Sequence, residues 1–207
     1  AKEGVYSLFV ELPLGVDDKQ SDNKKTLGIG SDGTAPATTY TITPAAPDGL
    51  NGWYKSDVTV KLTATDPEVK GVKSGVAKIE YQLDGGAWTT YTSAGIKVTT
   101  DSASHVIKYK ATDKVGNVET EKTIPAFKID KTKPVISMEY VAEKVGNLGQ
   151  YQIIITVTAS DALSGMDKVM FYFNDALQST VTGPGPTYVW NYTYAPLPSA
   201  PPAWGML

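Results

Sequence analysis

Three aspartates, Asp66, Asp113 and Asp161, each close a run of alternating apolar residues and open a turn. Carboxylates gathered at such corners could hold a hard cation such as Ca2+, which makes these three the metal candidates. Asp at a strand-to-turn corner also accepts bonds from local backbone N–H groups. That reading comes first for Asp66, Asp84-Gly85, Asp113 with Gly116-Asn117, and Asp161, so no metal or other cofactor is required. Trp53-Tyr54, and Trp88 with Tyr91, are the residues that could stack on a sugar ring. Packing is the stronger expectation for rings of this size. His105 is the sole histidine and therefore the first candidate for acid–base work, yet no partner for it is visible along the chain and no serine elbow accompanies it. The carboxylates stand singly at turns instead of in pairs. The chain reads as a non-enzyme.

Composition removes further chemistries. There is no cysteine, hence no disulfide, thiol nucleophile or thiolate metal site, and all 19 basic residues are lysine, which lacks the planar fork suited to carboxylate and phosphate. A net charge of -3 gives no basic footprint for nucleic acid, and no apolar run approaches the ~20 residues of a membrane span. The start, Ala1-Lys2-Glu3-Gly4, has neither an initiator Met nor a leader pattern and reads as an internal cut from a longer chain. Asn191-Tyr192-Thr193 is the one N-glycosylation sequon.

The elements that must position these residues are strands. Val58, Val60, Leu62 and Ala64 alternate with Thr59, Lys61, Thr63 and Thr65, a strand with one face on a core and the other in water. Ile79, Tyr81 and Leu83 repeat the pattern up to the turn at Asp84-Gly85-Gly86. Ile96 and Val98, then Ile107, Tyr109 and Ala111, then Ile124, Phe127 and Ile129 supply further strands, with Pro125 placing the closing one at an edge or bulge. No helical periodicity competes. About seven short strands in roughly 100 residues predict an all-β fold of tandem immunoglobulin-like sandwiches.

The sequence also repeats itself. Thr63-Ala64-Thr65-Asp66 matches Thr158-Ala159-Ser160-Asp161 at an offset of 95 (161 against 66), and Ser74-Gly75-Val76 matches Ser164-Gly165-Met166 at 90 (164 against 74). Asp32-Gly33-Thr34-Ala35-Pro36 matches Asp130-Lys131-Thr132-Lys133-Pro134 at 98 (134 against 36), so each reads as a stiff linker opening a repeat. The expected organisation is 1–35 as the terminal strands of a preceding repeat or an N-terminal extension, 36–134 as a complete sandwich, and 135–207 as a second one without its last strands. Tyr6 to Leu12 and Thr26 to Ile29 are the terminal strands. The second piece runs out in Pro196, Pro198, Pro201 and Pro202.

The string Ser74-Gly75-Val76, Ile79-Glu80-Tyr81, Asp84-Gly85-Gly86-x-Trp88, Tyr109-x-Ala111-x-Asp113-x-x-Gly116-Asn117-Val118-Glu119 and Asp130-x-Thr132-x-Pro134 resembles the bacterial and archaeal immunoglobulin-like repeats of large secreted and cell-surface proteins. Residues 135–194 resemble a related variant in which Ala176 stands where the family often has a turn Gly, leaving the turn type open. The resemblance implies an extracellular or cell-surface location and a spacer, stalk or interaction role, with a carbohydrate-binding accessory module of a secreted hydrolase as the alternative. Tyr109 takes the spacing of the tyrosine-corner strand, and Lys61 or Lys78 could join an Asn in the isopeptide crosslink of some such domains. The expected partner is a protein or glycan on a surface, with no nucleic acid and no membrane insertion. Cut ends add one more expectation: head-to-tail self-association, the N-terminal strands of one molecule completing the last sandwich of the next.

Overall fold

A computed structural model describes residues 4–11, 24–146 and 150–194. The run from Asp17 to Asn23 and the prolines from Pro196 onward lie outside the described residues. The chain divides into two compact units, 1–129 and 130–207, and what is described of both is nearly all strand.

In the first unit, β1 (Gly4–Glu11) and β2 (Lys24–Ser31) form a separate antiparallel pair. Then come β3 (Ala37–Thr43), β4 (Trp53–Tyr54), β5 (Val58–Thr65), β6 (Val76–Leu83), β7 (Thr89–Thr90), β8 (Ile96–Val98), β9 (Ser102–His105), β10 (Ile107–Asp113), β11 (Lys122–Thr123) and β12 (Phe127–Ile129). They assemble as the sheets β3-β5-β8, β11-β10-β6-β7 and β4-β12-β9. The alternation of β5 puts Val58, Val60 and Leu62 inward, and β10 buries Ile107, Tyr109 and Ala111 on one face. With Ile96, Val98, Ile124 and Ile129 these side chains form the core, each stabilising by roughly 1.5–3 kcal/mol when fully buried if it is a branched aliphatic. The closing strand expected over Ile124 to Ile129 is shortened to β12, and a separate strand, β11, precedes it. β11 lies at the edge beside β10, while β12 sits between β4 and β9, and the chain changes sheets across Ile124-Pro125-Ala126. Proline has no N–H for a ladder, so the crossing falls where the ladder must break.

The second unit contains β13 (Val135–Val145), β14 (Gln150–Ser160), β15 (Lys168–Phe173), β16 (Ala176–Thr182) and β17 (Thr187–Tyr194). Its sheets, β13-β14-β17 and β15-β16, repeat the arrangement of β3-β5-β8 and β6-β7. The register repeats as well. Ala37 faces Thr65 in the first unit and Val135 faces Ser160 in the second, pairs displaced by 98 and 95 residues, the same offsets that relate the linker and Thr-Ala-Thr-Asp motifs. Val157, Ala159, Val169, Phe171 and Tyr188 make a smaller core, and the Tyr188 hydroxyl donates to the Gly183 carbonyl at 2.6 Å. Every residue of β13 is exposed.

The hairpins use one turn type with different residues. Asp84 and Gly85 hold φ of 50° and 72° with Gly86 N–H bonded to the Leu83 carbonyl, and Asn174 and Asp175 hold 47° and 60° between the paired Phe173 and Ala176. Two successive left-handed residues are a type I′ turn, so Ala176 is the first strand residue and not a misplaced turn glycine.

Candidate functional site

One end of the first unit gathers three carboxylates. Asp66 ends just past β5, Asp113 ends β10, and Asp32 lies in the linker before β3; one oxygen from each falls within 4.8 Å of the others. Sequence spacing offered Asp66 and Asp113 but passed over Asp32, whose signal was its match to Asp130 in the linker repeat. Asp161 is not part of this group and belongs to the second unit.

The loops deliver these groups through their own backbone. Asp113 Oδ1 accepts N–H bonds from Val115 at 3.0 Å, Gly116 at 2.7 Å and Asn117 at 2.8 Å, while Oδ2 accepts from the Asn117 amide at 2.7 Å. Gly116 at φ 97° makes that tight fold, a conformation costly for a residue with a Cβ. The Asn117 amide also reaches the carbonyls of Asp32, at 3.2 Å, and Thr34, so the turn grips the linker. Asp32 accepts from Thr34 N–H at 3.1 Å and Ser74 N–H at 2.7 Å. Asp66 Oδ2 takes the Gly75 N–H and the Ser74 hydroxyl, and its Oδ1 is buried with no hydrogen-bond partner. Burial opposes ionisation of Asp113, but the Asn117 amide and the backbone donors outweigh it and hold the carboxyl below its ordinary range. The Ser74 side chain, followed by Thr34 N–H, lowers Asp32 in the same way, against burial and the charge of Asp113.

The second unit opens with the same bonds. Asp130 accepts from Thr132 N–H at 3.1 Å and Ser164 N–H at 2.9 Å, and Asp161 Oδ1 accepts from Leu163, Gly165 and the Ser164 hydroxyl. Burial raises the Asp161 carboxyl, yet these donors and the adjoining Asp130 side chain bring it below its ordinary range.

A second polar group escaped the sequence reading. Glu119, almost wholly buried, accepts from Thr38 N–H at 2.7 Å, the Thr38 hydroxyl at 2.6 Å, Ala111 N–H at 3.1 Å and the Lys122 ammonium at 2.7 Å. Lys122 donates on to the Thr38 carbonyl at 2.9 Å, so one carboxylate ties β3, β10 and β11 together.

His105 does have a partner, contrary to the expectation from the sequence. Its Nδ1 lies 2.7 Å from Asp84 Oδ2 and its Nε2 2.9 Å from the Thr100 carbonyl, with the ring 2% exposed. The pairing joins residues 21 apart through the Asp84 turn, which linear spacing does not reveal. Both ring nitrogens are engaged inside the fold.

The aromatics divide between core and rim. Tyr54 is buried edge-on to Phe127, and the half-buried Tyr91 accepts the Leu62 N–H at 3.1 Å. Trp53 and Trp88 are half-buried and each carries a lysine over its ring, Lys128 at 4.9 Å and Lys110 at 4.3 Å. Lys61 and Lys78 are both exposed, Lys78 beside Glu80, and Asn191 is exposed on β17. A groove of about 410 Å³ in the second unit runs between β13 and β15 and is lined by Pro134, Ile136, Ala159, Val169, Met170 and Tyr172.

Among the described residues no helix is long and apolar enough to cross a membrane. No curated protein and no solved structure matches the chain. Residues 134–200 match the family of the bacterial Ig domain, Big_7, and the chain therefore carries a bacterial Ig-like domain.

Proposed function

We propose that the chain is a non-catalytic extracellular module, two immunoglobulin-like sandwiches in tandem, that spaces or displays other parts of a larger secreted or surface protein. The observation that carries this reading is the duplicated opening of the units: Asp32 and Asp130 each bind the residue two positions on and a serine of the following loop, at matching distances. A linker pinned twice in the same way suits a repeat whose job is to hold distance and direction. Fold alone does not choose this role, since such sandwiches host many. Small-angle scattering tests it. The wild-type chain is expected to be elongated, and Asp130→Ala to broaden its distribution of dimensions; a compact particle unaffected by the substitution overturns the spacer. Glycan binding lost on Trp88→Ala, with the circular dichroism unchanged, would replace it with a carbohydrate-binding module.

The partners in this reading are a protein or glycan on a surface and a second copy of the chain. Two features support self-association. β13 is an exposed edge carrying Val135, Ile136, Met138 and Tyr140, and among the described residues β15 is paired on one side only, where its counterpart β6 has β10. The β1–β2 pair, with Val5, Tyr6 and Ile29 exposed, is the proposed donor. Sedimentation over a wide concentration range should show head-to-tail association that vanishes on deletion of residues 1–34. A folded monomer in both forms ends the proposal.

A further inference from the structure

We propose that Asp32, Asp66 and Asp113 form a Ca2+ site that fastens the linker entering the first unit to two of its loops. The three carboxylates each present an oxygen within 4.8 Å of the others. Oxygens bound to one Ca2+ at about 2.3–2.6 Å lie up to about 5 Å apart, so a single ion can span the set.

The ligand is called for by the one oxygen of these carboxylates that is left without a partner. The other five oxygens of the cluster each accept at least one bond: those of Asp113 from three backbone N–H groups and the Asn117 amide, those of Asp32 from Thr34 and Ser74, and Asp66 Oδ2 from Gly75 and Ser74. Asp66 Oδ1 has none, in a residue only 7% exposed. A buried carboxylate oxygen without a donor is costly. Among the described residues no lysine forms an ion pair with any of the three; Lys114 comes beside Gly75, with Nζ 3.4 Å from where a Cβ of residue 75 would stand.

Chemistry selects the ion. The donors are oxygens from three separate segments, with no histidine or cysteine among them, which disfavours Zn2+. A site assembled from turns, with a variable remainder of water and carbonyl ligands, fits Ca2+ better than Mg2+, which demands near-ideal octahedral geometry. The second unit supplies the contrast. Its Asp130 and Asp161 are both answered by donors and no third carboxylate joins them among the described residues, so no site is proposed there. The inference does not depend on the spacer reading.

Titration calorimetry of CaCl2 into the whole chain, stripped with a chelator, provides the test. One ion per chain is expected, with a Kd of about 10⁻⁴–10⁻³ M or tighter as for extracellular modules, together with a rise in Tm. Asp66→Asn keeps the shape of the side chain and should weaken binding by about tenfold or more; Asp32→Ala, at the more exposed corner, should do the same without disturbing the core. Asp161→Asn should bind as wild type. The proposal is overturned by wild-type chain that gives neither heat nor a Tm shift in millimolar CaCl2. Unchanged binding in folded Asp32→Ala or Asp66→Asn, loss of binding in Asp161→Asn, or equal binding of Mg2+ also overturns it.

Discussion

The two units build the same corner from the same residues and finish it differently. In both, a linker aspartate grips a Ser-Gly loop and a second aspartate at the end of a central strand collects that loop's N–H groups. Among the described residues, it is in the first unit that a further strand, β10, and the turn after it add Asp113 and Glu119, and with them a lock between sheets. Thr38 is covered there by the Glu119 carboxylate, and β6 is flanked by β10. The matching positions of the second unit, Ile136 and Val169, line an open groove. Local hydrogen bonding thus suffices to make the corner. In the first unit the lock between sheets comes from β10 and the turn after it, farther along the chain.

The largest effect expected from breaking this comparison comes from Glu119→Ala. It strips the buried Thr38 and Ala111 N–H groups and the Thr38 hydroxyl of their acceptor and leaves Lys122 with only the Thr38 carbonyl. Removing one side of a buried, multiply bonded group costs about 3 kcal/mol or more. Amide exchange followed by mass spectrometry should show β3 and β10 losing protection while β14 and β17 keep theirs. Equal loss in both units would mean that the lock is not confined to the first.

How much of this was legible depends on the range of the interaction. Strands were readable because alternation is local: the inward faces of β5 and β10 are the alternating residues Val58, Val60, Leu62 and Ile107, Tyr109, Ala111. The repeat offsets were readable too, and they carry over into strand register because register is fixed by which face is apolar. Glu119, the pairing of His105 with Asp84, and the entry of Asp32 into the aspartate cluster were not. Each joins residues 21 to 81 positions apart, and a lone Glu, His or Asp looks alike in sequence whether it meets a partner or water. The strand change at Pro125 was half legible, since proline marks a break in a ladder but not the sheet the chain enters next.

Acid should separate the units by a smaller amount. Burial raises the Glu119 carboxyl, but the bonds from Lys122 and Thr38 outweigh it and hold it below its ordinary 4.5. A carboxyl lowered on folding contributes stability that is whole above the unfolded value and fades as pH falls through the folded one. The first unit should therefore weaken as pH drops below about 4.5, whereas Asp161, lowered from 3.8, starts to release its share only below that figure. Thermal melts across this window should show the first unit failing earlier, and Glu119→Gln should remove the part of its acid limb that begins near 4.5, leaving the share of Asp32 and Asp113 below 3.8 and the limb of the second unit in place. An acid limb unchanged by Glu119→Gln would assign the sensitivity elsewhere.

The smallest difference lies in the two hairpin turns, where it can be measured most cleanly. Asp84-Gly85 and Asn174-Asp175 occupy the same pair of left-handed positions, but the second position is Gly at φ 72° in one and Asp at φ 60° in the other. A non-glycine residue held there is disfavoured by roughly 1 kcal/mol, less for Asp and Asn, whose short polar side chains tolerate the conformation. Gly85→Ala should accordingly cost the first unit about 1 kcal/mol, all of it backbone strain, since no atom lies within 4 Å of where the new Cβ would stand. Asp175→Gly should change the second unit by a few tenths of a kcal/mol at most in the stabilising direction, because relief of strain is offset by the greater entropy glycine brings to the unfolded chain. Denaturation midpoints for the two variants, read by amide exchange in β6 and β15, would show opposite signs. Matching signs would mean that the turns, alike in dihedral angles, differ in how firmly their strands hold them.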